Sequence, residues 1–232
     1  TSPLGVLLPA AALAATGGSS DEAALALFRA LCAGALATAC VLLWQVTGRW
    51  QWSPLARALA AFLPLLEAKT VMFSLNGMET AFMLLFIVLG VRALSGDLGR
   101  TWPALGCAWA GLMWTRPDGF VFGGVAAAAW WFVRPGELSG LTRGRILILY
   151  LKAAAVAAAL YAPWVIWAWN YYGSPIPHTI LAKGSAAHAP ALADLPLHLL
   201  HQTLFFPWQG ALRGVFLPTY VWYSDWPALL RY

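Results

Sequence analysis

The sequence predicts an all-α fold, a polytopic transmembrane helical bundle that includes several short non-spanning helices, and three observations carry that expectation. Of the 232 residues, 61% are hydrophobic and only 10% are charged, whereas a soluble domain carries roughly 25% charged residues. The mean hydropathy is +0.69. The apolar residues are gathered into long stretches, and the loops between them are rich and poor in basic residues by turns. A membrane span needs about 20 mainly apolar residues in helical form, because each unpaired backbone group in lipid costs several kcal/mol.

Taken in order, an apolar run over residues 4–15 opens the chain. Residues 23–46 and 145–169 are long enough to cross, with Arg29 and Lys152 close enough to the ends to snorkel. Residues 56–75 also suffice, although Pro64, Glu67 and Lys69 interrupt them. Residues 79–94, 102–114 and 118–133 are shorter than a relaxed bilayer at about 1.5 Å per residue. Short helices of this kind often line a cavity. The three cysteines, Cys32, Cys40 and Cys107, all fall within these helices, which suggests packing and not a disulfide framework. No spacing among them and the four histidines fits a zinc site.

Letting each helix change sides sorts the cations. One set of loops holds Arg49, Arg57, Arg92, Arg100, Arg134, Arg143 and Arg145, with Lys152 just inside the next helix. The opposite set, up to Asp194, holds Lys69, Arg116 and Lys183 together with Asp21, Glu22, Glu67, Glu79, Asp118 and Asp194. The first set is expected on the cytoplasmic side. The net charge of +5 then reports topology, and no nucleic-acid partner is expected, since no basic cluster lies on a soluble element. The start at Thr1-Ser2-Pro3, without Met or a charged leader, and the aromatic run over 216–232 lead to the expectation that residues 1–232 are a single transmembrane domain fragment, truncated at both ends.

Three loops on the acidic side carry polar residues that packing explains poorly. In Ser74-Leu75-Asn76-Gly77-Met78-Glu79-Thr80, Glu79 opens a helix, where a capping acid and a site residue are both open readings. In Trp114-Thr115-Arg116-Pro117-Asp118-Gly119, a Pro-driven turn competes with a functional pair, a cation and a carboxylate near membrane depth. The third loop runs from Asn170 through Tyr171, Tyr172, Gly173, Ser174 and Pro175 to Pro177, His178 and Thr179, and continues to Lys183. Its aromatic residues suit an interfacial belt. Arg116, His178 and Lys183 form a cationic set suited to a phosphate near the headgroups.

The order Gly77-Met78-Glu79-Thr80, Thr115-Arg116-Pro117-Asp118-Gly119, then Tyr171-Tyr172-Gly173-Ser174-Pro175-Ile176-Pro177-His178-Thr179 with Ala182-Lys183 resembles bacterial polytopic glycosyltransferases of the GT-C class. The mycobacterial terminal arabinofuranosyltransferases are the nearest family. The likeness runs from Thr1 to Lys183; family members commonly have Asn at the place of His178, and Glu is frequent at that of Asp118. The resemblance implies a GT-C fold in a bacterial cell membrane, multi-pass, with its site on the outer face. It implies a polyprenyl-phosphate sugar donor, with arabinofuranose as the specific candidate, a cell-envelope glycan acceptor, and contact with membrane lipids. The main catalytic base is expected upstream of Thr1, so the fragment itself is expected to be inactive.

An acceptor hydroxyl needs a carboxylate to take its proton, and the departing lipid phosphate needs positive charge. Substrate-binding roles are therefore expected for Glu79, Arg116, Asp118, Tyr172, His178 and Lys183. Glu79 and Asp118 would orient hydroxyls or, as the rival reading, ligate a divalent cation, for which two carboxylates are an incomplete set. A lateral groove between the short helices would admit the prenyl chain. A transporter or lipid flippase, and a membrane subunit without chemistry, are the alternatives. The first predicts ionisable groups near the middle of long helices and repeat symmetry, neither of which is evident in the sequence.

Overall fold

A computed structural model describes residues 2–18, 20–66, 68–75, 78–116, 119–133 and 140–173. The regular structure of these residues is entirely α-helical: α1 (Pro3–Ala15), α2 (Asp21–Arg49), α3 (Pro54–Leu66), α4 (Ala68–Leu75), α5 (Thr80–Leu94), α6 (Leu98–Thr115), α7 (Phe120–Val133) and α8 (Arg143–Tyr172). The chain divides into two units, of which the first comprises Thr1–Leu66 and Thr70–Pro175. The second is Glu67–Lys69 with Ile176–Tyr232, almost wholly outside the described residues.

Local chemistry fixes the helix ends. Ser20 Oγ accepts from the Ala23 amide at 3.1 Å, Asp97 Oδ1 from Gly99 at 3.0 Å and Thr142 Oγ1 from Arg145 at 3.3 Å, each satisfying a first-turn donor that the helix itself leaves unpaired. Gly173 ends α8 at φ +71°, a left-handed conformation that an L side chain resists. The segment expected as one helix over 56–75 is divided into α3 and α4, with Pro64 inside α3. Residues 102–114 grow into the 18-residue α6 because Asp97 supplies a cap upstream.

Packing defines how the helices run. α1 folds back along α2, with Ala12 buried against Ala24 and Phe28. α2 and α5 lie parallel: Cys32 meets Met78 near one end, and the Arg92 guanidinium donates to Gln45 Oε1 near the other. α5 and α6 form an antiparallel hairpin, closed where Thr101 Oγ1 donates to the Ala93 carbonyl at 2.7 Å. α6 and α8 run parallel and make the most extensive helix pair. A Cβ at Gly106 would lie 2.6 Å from the Ala153 carbonyl oxygen, so this pair owes its close approach to a missing side chain. Two buried clusters result, one joining α1, α2 and α5 around Phe28 and Cys32, the other joining α5, α6 and α8 around Leu94, Leu98, Leu105 and Ile146.

Two helices, α2 and α8, are long and apolar enough to cross a membrane, whereas α1, α3, α5 and α7 are apolar but shorter. Only 28% of the most apolar stretch of α8 is buried. Its outward face therefore remains apolar, with Ile148, Leu151, Ile166 and Trp169 all exposed. That is unlike the core helix of a soluble domain, which hides its apolar residues.

Candidate functional site: a set-back acidic end

Because α2 runs parallel to α5, and α5 antiparallel to α6, the start of α5 and the end of α6 fall at the same end of the first unit. Glu79 immediately precedes α5 and Arg116 immediately follows α6. Asp21 and Glu22, in the first turn of α2, belong to the same end. The opposite end collects Arg49, Arg57, Arg92, Arg100, Arg143 and Arg145. The division of charge that the loop count anticipates is thus reproduced by the packing, for the cations among the described residues.

Glu79 does not sit at the outermost edge of this end. The connection from α4 to α5 meets α2 at two points inside its length: Arg29 Nε donates to the Leu75 carbonyl at 3.0 Å, and Cys32 Sγ lies 3.8 Å from the Met78 carbonyl oxygen. These points are about two and three turns, on the order of 12 to 16 Å, from the start of α2. Glu79 occupies the N-cap position of α5 but makes no side-chain capping hydrogen bond there. Its carboxylate is instead turned to the first turn of α1, where a Cβ at Gly5 would lie 2.8 Å from Glu79 Oε2 and 3.1 Å from Ser2 Oγ. A carboxylate is favoured there, since the first turn of a helix presents unpaired amides and the positive end of its dipole. The cap that the sequence suggests for α5 is accordingly directed to a different helix.

Arg116 is exposed at the C-cap of α6, and its backbone amide donates to the Leu112 carbonyl at 2.9 Å. Two residues earlier, Trp114 Nε1 donates to the Leu160 carbonyl of α8 at 3.1 Å. From Trp114 an aromatic series follows α8 outward: Trp164 at 6.2 Å, then Trp167 a further 4.8 Å on, then Tyr171 at 5.2 Å, stacked at 11°, with Tyr172 edge-on to both Trp167 and Tyr171. Tyr172 therefore stands about three turns beyond Leu160, where α8 meets Trp114. α2 and α8 extend past Glu79 and Arg116 and leave them set back between longer helices.

Beside Arg116, a groove of about 310 Å³ opens between α6, α7 and α8, lined by Trp109, Met113, Phe120, Gly124, Ala154, Ala157 and Ala158. Every lining side chain is apolar or aromatic. Met113 lies about one turn before Arg116 on α6.

Of the residues expected in the site, the fold brings Glu79, Arg116 and Tyr172 to one end. Asp118, His178 and Lys183 lie outside the described residues. Arg29 is a site-end residue that the sequence reading treats only as a snorkelling cation. Its position inside an apolar run was the available signal, because an arginine there needs an acceptor nearby. Among the described residues, no group of three or more His, Cys, Asp or Glu side chains is placed to hold a metal ion. No known protein family, curated protein or solved structure matches the chain.

Proposed function

We propose that the chain is a multi-pass bacterial membrane glycosyltransferase that moves a sugar, arabinofuranose being the specific candidate, from a polyprenyl-phosphate donor to a cell-envelope glycan on the outer face. The observation that carries this reading is the set-back end, where a carboxylate (Glu79) and a cation (Arg116) lie between longer apolar helices, with an apolar groove alongside the cation. Such a donor has three parts with different demands. Its prenyl chain needs an apolar channel reachable from lipid, its phosphate needs positive charge, and its sugar needs hydrogen-bonding groups. The groove suits the first demand, Arg116 the second and Glu79 the third. Membrane insertion is supported by the length of α2 and α8 and by the apolar outward face of α8.

In this mechanism Arg116 stabilises charge as it builds on the departing phosphate. Glu79, held by the first turn of α1, and Asp118 orient sugar or acceptor hydroxyls, and Tyr172 lines the approach from the outer face. The test is transfer of radiolabelled sugar from polyprenyl-phosphate donors by membranes containing the protein, with Arg116→Ala and Asp118→Asn beside wild type. Loss of transfer in both at equal expression is the expected result. Wild-type kinetics in Arg116→Ala would remove that residue from the site, and no transfer from any donor by wild type would overturn the enzyme reading.

A further inference from the structure

The end of the first unit opposite Glu79 has a chemistry of its own that sugar transfer does not use. Six arginines gather there, and the only acid among the described residues at that end is Asp97, which pairs with Arg100 at 3.5 Å. Two of the remaining five arginines are engaged by the protein. The Arg57 guanidinium stacks 4.2 Å from the centroid of the Trp44 ring and donates to the Trp44 carbonyl, and Arg92 donates to Gln45. Arg49, Arg143 and Arg145 are exposed and have no acidic partner among the described residues. Arg143 and Arg145 also stand in the first turn of α8, which holds no acid, so like charges face the positive end of a helix dipole. That arrangement is unfavourable until an anion joins it.

Aromatic rings border the same face. Trp50 lies 5.6 Å from Trp52 and 5.9 Å from Trp130. Trp130 also packs against the buried cluster of α5, α6 and α8, which keeps its ring in apolar material. Tryptophan beside arginine, at the end of two helices long enough to cross a membrane, is the composition of a headgroup-level surface. We propose that this end is a docking face for the headgroups of anionic phospholipids, with Arg49, Arg143 and Arg145 as donors to the lipid phosphates. An acidic lipid supplies negative charge to three exposed arginines that have no acidic partner among the described residues. The inference rests on membrane insertion and is independent of glycosyl transfer.

The experiment mixes the detergent-purified protein with equal amounts of phosphatidylglycerol and phosphatidylcholine and reads the retained lipid by native mass spectrometry. Phosphatidylglycerol is expected to be retained several-fold over phosphatidylcholine. The Arg143→Gln/Arg145→Gln double variant and Arg49→Gln should each lower that ratio toward one, while Arg145→Lys keeps it and Glu79→Gln, at the other end, leaves it unchanged. Equal retention of the two lipids, or a preference that survives both the double variant and Arg49→Gln at unchanged thermal stability, would overturn the proposal. Retention that persists in excess inorganic phosphate supports a lipid site, and displacement by inorganic phosphate would overturn it in favour of a free-anion site. Flotation with phosphatidylcholine vesicles separates the underlying reading. A protein that floats without lipid preference defeats this inference alone, whereas one that does not float defeats membrane insertion and this inference with it.

Discussion

Gly5 and Glu79 show how one missing side chain sets the chemistry of a distant residue. The Glu79 carboxylate reaches the first turn of α1 because Gly5 has no Cβ, and a methyl group there would stand 2.8 Å from Glu79 Oε2. Gly5→Ala should therefore displace the carboxylate. In the proposed enzyme the expected outcome is a fall in kcat of about tenfold, which corresponds to roughly 1.4 kcal/mol of lost transition-state stabilisation, with the thermal midpoint little changed. A Michaelis analysis with paired thermal unfolding checks it, and an unchanged kcat would detach Glu79 from the chemistry. The sequence makes Glu79 legible as a polar residue at a helix start, and it makes Arg116 legible as a cation between short helices. It does not reveal that Glu79 serves α1 in place of its own helix, because the residue that receives it lies far away in the chain and offers only an absence, a glycine in an apolar run. Arg29 was obscured in the same way, since its acceptor is a backbone carbonyl at Leu75 that composition does not announce.

Among the elements, the parallel pair of α6 and α8 shapes the set-back end, and its closest approach is at Gly106. A larger residue there would meet both the Ala153 carbonyl at 2.6 Å and Val156 Cβ at 2.7 Å. Gly106→Val is expected to cost about 1–3 kcal/mol, because backbone cannot move aside as a flexible side chain does. Detergent-phase thermal unfolding reads that loss, and a variant as stable as wild type would show that the pair tolerates wider spacing. The long helices were plain in the sequence, since α2 and α8 contain the expected 23–46 and 145–169 within them and add capped turns at either end. The division of 56–75 into α3 and α4 was less plain. Glu67, Lys69 and Pro64 signal an interruption, but hydropathy alone does not say whether a chain kinks or stops.

At the scale of the whole first unit, and among the described residues, Asp21, Glu22 and Glu79 lie at one end of the helices and Arg49, Arg57, Arg92, Arg100, Arg143 and Arg145 at the other, which is the bias in cations a bilayer would select. Cysteine labelling tests it directly. With exposed Cys107 replaced by alanine, the native thiols that remain among the described residues, Cys32 and Cys40, are buried, so a single introduced cysteine reports its own side. Glu22→Cys should react with a membrane-impermeant maleimide added to intact cells, and Ser53→Cys should react only after the cells are opened. Labelling of both positions from the same side would overturn the multi-pass topology. Which helix ends gather the arginines was readable from the sequence, because the basic residues fall in alternate loops. The set-back position of Glu79 was not, because it depends on where the α4–α5 connection meets α2.

That connection has an electrical consequence. The end of α4 and the start of α5 bring carbonyls and amides that their own helices do not pair, and Arg29 and Cys32 answer two of the carbonyls among the described residues. Within a bilayer, any such group left unanswered would draw in water, because a bare peptide group in hydrocarbon costs several kcal/mol. A wet inlet on one face thins the insulating layer beneath it, and the transmembrane voltage then falls mostly across the remaining thickness toward the arginine-rich end. A charged lipid phosphate that entered beside Arg116 would stay near the potential of the outer solution, and its binding would respond only weakly to the energised state of the cell.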